Sequence, residues 1–81
     1  MKLYAGDLND YSLLGEEIRE QKLRHEKLLA SFRVLQKQYQ SAPEAERSKW
    51  RMPYLTLKRG IYGVEAWIRW AEEVVQELDG L

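Results

Sequence analysis

An all-α fold is predicted for this chain: an antiparallel pair of long helices with a short helix between them, assembling as a two-fold dimeric helical bundle. Three observations predict it. Residues 11–40 contain no proline, one glycine and an uninterrupted three-and-four spacing of apolar and aromatic residues. Two restart signals, at Ser41–Glu44 and Met52-Pro53, divide the remainder of the chain. The final segment carries two apolar stripes, one more than a single partner helix can cover.

The opening residues 1–10 read as a lead-in, with Gly6, Asp7, Asn9 and Asp10 forming a turn-prone cluster. Asp10 or Ser12 is placed to cap the first helix. That long helix is expected over 11–40, where Leu, Glu, Lys, Arg and Gln dominate. At 1.5 Å per residue it would be about 45 Å long, against a radius of gyration of about 12 Å for a compact domain of this size. The domain must therefore be elongated. Its seam runs Tyr11, Leu14, Ile18, Gln21, His25, Leu28, Phe32, Leu35 and Tyr39, apolar at both ends and polar at Gln21 and His25. Glu20–Arg24 and Lys22–Glu26 have ion-pair spacing on other faces.

Ser41 and Glu44 have capping-box spacing, and Pro43 is tolerated in a first turn, so a short helix is expected over 43–50. Met52-Pro53 marks a second boundary, because the residue before a proline avoids helical backbone. The last helix is expected over 53–78, closed by Gly80. One of its stripes is Leu57, Ile61, Val64, Ile68, Ala71, Val75 and Leu78, matched to the first helix. The other is Gly60, Gly63, Trp67, Trp70 and Val74, assigned to a dimer interface. Left in water, two tryptophans of order 200 Å² each would form an apolar patch of the kind that marks an interface. In an antiparallel pairing of this helix with its copy, indoles would fill the notch at Gly60 and Gly63.

Composition narrows the function classes. The chain has 81 residues, with 13 Lys+Arg balanced by 13 Asp+Glu, one histidine and no cysteine. A lone domain this small is marginally stable, and disulfides and thiolate metal sites are excluded, which leaves a partner subunit as the source of extra burial. No basic excess marks a polyanion binder, so direct nucleic-acid contact is not expected. No apolar run approaches a membrane span, and the opening residues lack the apolar core of a signal peptide; a cytoplasmic protein is expected. No cofactor or metal is expected, and no catalysis. There is no Ser/His/Asp set and no phosphate loop.

The stretch Pro53-Tyr54-Leu55-Thr56-Leu57-Lys58-Arg59-Gly60-Ile61, then Glu65-Ala66-Trp67-Ile68-Arg69-Trp70 and Glu77-Leu78, resembles the C-terminal helix of PadR-family transcription regulators. The opening Lys2-Leu3-Tyr4-Ala5-Gly6 resembles the segment after their DNA-binding part, and 11–40 their first C-terminal helix. The resemblance implies a bacterial dimerisation domain, which in such regulators spaces two recognition helices over two half-sites. It also implies that a small planar hydrophobic effector is a candidate ligand, with Trp67 and Trp70 as stacking residues. Too few residues precede Tyr11 for a winged helix, so the chain reads as a piece of a longer regulator or a stand-alone relative.

Simpler roles compete with these. Trp67 and Trp70 read first as packing residues, and His25 first as a polar residue setting helix register rather than a pH sensor. Two other function classes fit the same helices. One is a coiled-coil adaptor that binds an unrelated helix. The other is a small all-helical chorismate mutase, for which Arg19, Arg33, Lys37 and Gln76 would have to surround a dianion.

Overall fold

A computed structural model describes residues 8–80, with side chains from residue 12 onward. The chain is all-helical: α1 spans Leu8–Ser41, α2 spans Glu44–Lys49 and α3 spans Arg51–Asp79. There is no strand among the described residues. α1 and α3 pack as an antiparallel hairpin that α2 closes at one end. The long helices leave no room for compactness: the radius of gyration is 18.2 Å and the principal extents are 59 × 21 × 15 Å.

Each boundary departs from the sequence expectation for a local reason. α1 is already helical at Leu8, so Asp10 and Ser12 lie inside it and neither caps it. The rest of the lead-in, residues 1–7, lies outside the described residues. The capping box at Ser41 and Glu44 does not form: Ser41 belongs to α1, and Pro43 is the N-cap of α2, with no side-chain cap bond. Instead the Pro43 carbonyl accepts from the N–H groups of Glu46 and Arg47. α3 begins before Pro53, not at it. Pro53 is the third residue of that helix, where a missing N–H costs nothing because the first-turn donors have no helical acceptors. Gly80 ends α3 in right-handed geometry (φ −81°), so no left-handed turn is used there.

The core is thin and lies along one line of contact between α1 and α3. Ile18 on α1 and Ile61, Val64 and Ala71 on α3 are its buried members, with Ile61 only 2% exposed. Leu57, Ile68, Val75 and Leu78 continue the α3 row half-buried. On α1 the seam differs from the one expected. Ile18, His25, Phe32 and Tyr39 face α3, but the alternating positions are Lys22, Leu29 and Gln36, not Gln21, Leu28 and Leu35. Gln21 is half-buried beside the line, while Leu14, Leu28 and Leu35 are exposed. The three-and-four spacing is kept, but α1 is rotated toward the Lys22 side. Three cross-helix ion pairs are made in that rotation. Lys22 reaches Glu72 at 3.5 Å, Arg19 reaches Asp79 at 2.5 Å, and Arg33 pairs with Glu65. The Lys22 stem covers apolar surface while its ammonium stays at the edge.

The closed end is held by aromatic packing. Tyr39 and Tyr54 stack with ring centroids 3.9 Å apart and planes within 8°. The Tyr39 hydroxyl donates to the Arg47 carbonyl at 3.2 Å, which ties α2 to α1.

Candidate interaction face

The hairpin has two unlike sides. All three cross-helix ion pairs line one side. At about 100° per residue, Leu28 and Leu35 project from the other side of α1, and Gly60, Gly63, Trp67, Trp70 and Val74 from the other side of α3. Leu35 and Gly60 line the same open groove at the closed end, about 820 Å³, together with Phe32, Trp50, Tyr54 and Leu57. Both helices thus contribute to one apolar face. Leu28 is 43% exposed, Leu35 51% and Trp70 49%.

The five residues expected at an interface do not share one environment. Trp67 turns inward: its ring lies flat on the His25 imidazole, with centroids 3.8 Å apart and planes 6° from parallel. The His25 ring is fixed in turn by Nδ1–H donating to the Gln21 carbonyl at 2.8 Å. Gly60 also faces α1; a Cβ built there would lie 3.2 Å from Phe32 Cε2. Trp70 stands outside, edge-on to Trp67 with centroids 5.7 Å apart. Gly63 is exposed, and a Cβ built there meets nothing within 4 Å. Val74 is half-buried. The stripe expected to lie wholly outside is therefore split, because Gly60 and Trp67 lie close enough to the α3 seam to touch α1 while Gly63 and Trp70 do not.

A model of the family described as virulence activator alpha C-term matches residues 1–79. The chain belongs to this family. No curated protein and no solved structure matches it. The virulence activator alpha C-terminal family is one of regulatory domains associated with transcription regulators, not an enzyme family.

Within this virulence activator alpha C-terminal domain, the groups that a chorismate mutase would need are not brought together. Arg19 is engaged by Asp79 and Arg33 by Glu65. Arg19 and Gln76 line one open notch, in which neither Arg33 nor Lys37 takes part. No cluster of metal-ligating side chains occurs among the described residues. No described helix is long and apolar enough to cross a membrane.

Sequence reasoning missed Leu28 and Leu35 as members of the face. The signal was present: Leu28 and Leu29 are adjacent and about 100° apart on the helix, so only one of them can lie at the centre of the contact line with α3. The seam through Leu28 and Leu35 is also the more apolar one, so apolarity alone favoured the wrong register within the chain.

Proposed function

We propose that this chain is the dimerising C-terminal domain of a PadR-type bacterial transcription regulator, and that it dimerises through the apolar face shared by α1 and α3. The observation that carries this reading is the exposure of Leu28, Leu35 and Trp70 on the same side of a thin two-helix hairpin. Four buried side chains make a small core for such a chain. A second hairpin stacked on this face would complete a four-helix bundle and supply the missing burial. Family membership supports a regulatory role, and the PadR resemblance of 53–78 supports the two-fold assembly.

Sedimentation equilibrium tests the proposal. A dimer is expected at micromolar concentration, and Trp70→Glu is expected to give a helical monomer. A monomeric parent chain at high micromolar concentration would sink the reading. A partner helix from another protein would then be the better occupant of the face.

Effector sensing is a second reading, favoured by the exposure of the Trp70 indole. A planar hydrophobic molecule would stack on the Trp70 indole, since His25 already covers one face of Trp67. Saturable quenching of tryptophan fluorescence by a planar dye, lost in Trp70→Ala, is the expected result.

A further inference from the structure

The charges of this chain sum to zero but are not spread evenly. The stack of His25 on Trp67 divides the hairpin into two halves. Residues 26–66, from the stack to the closed end, hold eight Lys+Arg and four Asp+Glu, net +4. The remainder of the chain holds five and nine, net −4. The longest extent is 59 Å, whereas charges are screened over about 10 Å at about 0.1 M salt. The acidic half therefore does not cancel the field of the basic half, and a neutral total does not exclude a polyanion at the closed end.

The cations there are gathered by specific contacts. Toward the closed end, the cross-helix ion pairs stop at Arg33 and Glu65. Arg51 and Lys58 precede Glu65 at seven-residue spacing, and so share its side of α3. Lys37 lies one turn beyond Arg33 on the same side of α1. Lys58 Nζ is 5.8 Å from the centre of the Tyr54 ring. The Tyr54 hydroxyl accepts from Gln40 Nε2 at 3.4 Å, and the Gln40 carbonyl accepts from Arg47 at 3.4 Å. Lys37, Arg47, Arg51 and Lys58 make no ion pair among the described residues. The carboxylates of α2 are Glu44 and Glu46, both exposed. Glu46 pairs with Lys49 and lines the groove of the apolar face.

From this clustering we infer that the closed end binds the phosphate backbone of duplex DNA through Lys37, Arg47, Arg51 and Lys58. Duplex DNA carries one charge per about 1.7 Å of its axis, so cations on flexible side chains meet phosphates without a shaped pocket. Lys37, Arg51 and Lys58 lie on the side away from the apolar face, and they stay accessible when that face is covered. A domain associated with transcription regulators works beside DNA, which makes DNA the polyanion at hand. The acidic half is repelled by the same backbone, so the closed end is the one that points at it. Such a contact positions the domain and reads no base sequence. It goes beyond the dimer reading and holds for a monomer or a dimer alike.

Fluorescence anisotropy of a labelled duplex of about 20 base pairs, titrated with this chain in dilute salt, tests the inference. Saturable binding is expected, equal for two unrelated base sequences. Log affinity should fall linearly with log salt, and Lys37→Gln, Arg51→Gln and Lys58→Gln together should reduce that slope by about three. Lys37→Gln alone, at an exposed position of α1, should reduce it by about one, which serves if the triple variant does not fold. Arg69→Gln removes an exposed cation of the acidic half and should leave the slope unchanged. No binding, a slope that Lys37→Gln does not change, or an equal loss in Arg69→Gln overturns the inference. Binding to phosphatidylserine vesicles with none to the duplex also overturns it, and assigns the cluster to a membrane surface. Sedimentation equilibrium of the same samples reads the oligomeric state independently, so the failure of either reading is told from the other.

Discussion

The His25 imidazole lies flat on the Trp67 indole, 3.8 Å between centroids. It is a polar residue near the middle of the α1 seam, between Lys22 and Leu29, and it is made compatible with that seam by two contacts. The ring face meets an aromatic surface, and Nδ1–H is satisfied by the helix carbonyl one turn back. Register is thereby set by shape as well as by polarity.

Removing that ring should be costly. His25→Ala is expected to lower stability by about 1–2 kcal/mol, the stacking contribution together with lost burial. His25→Phe should retain most of it. Urea unfolding followed by circular dichroism separates the two, and a Trp67 emission that is unchanged in His25→Ala would contradict the stack.

The two glycines of α3 should respond differently to alanine. Gly63→Ala enters open space, so it is expected to stabilise the isolated hairpin by about 0.5–1 kcal/mol through helix propensity. Gly60→Ala presses on Phe32 and should fall short of that gain by about 1 kcal/mol. Unfolding at low protein concentration measures both. At high concentration Gly63→Ala should lose its advantage, because the added methyl obstructs the face.

Charge placed on the face should act on association rather than on the fold. Leu28→Glu and Leu35→Glu are expected to weaken self-association at least tenfold. Leu23→Glu, at a more exposed position on the far side of α1, should leave it unchanged. Analytical ultracentrifugation of the three variants decides whether α1 takes part in the interface.

The closed end offers a local test. Tyr39→Phe removes the bond to the Arg47 carbonyl and is expected to cost about 1 kcal/mol, felt mainly at α2. Hydrogen exchange should quicken at residues 44–49 while the middle of α3 keeps its protection.

Helix identity was legible from residue chemistry. The absence of proline from 11–40 and the spacing of Leu57, Ile61, Val64, Ile68, Ala71, Val75 and Leu78 require long amphipathic helices, and such helices in so short a chain require an elongated hairpin. The lack of cysteine removed whole classes of function. Local propensity and periodicity act within a few residues, and so they can be read along the chain.

Tertiary structure decided which of two neighbouring rows on α1 meets α3. Leu28 and Leu29, or Leu35 and Gln36, satisfy the same three-and-four spacing, and a rotation of one residue exchanges them. The stack of His25 on Trp67 and the cross-helix pairs between Lys22 and Glu72 and between Arg33 and Glu65 are made in the rotation observed. These partners are 32 to 50 residues apart in sequence. Which face stays open therefore depends on long-range side-chain geometry that no local pattern encodes.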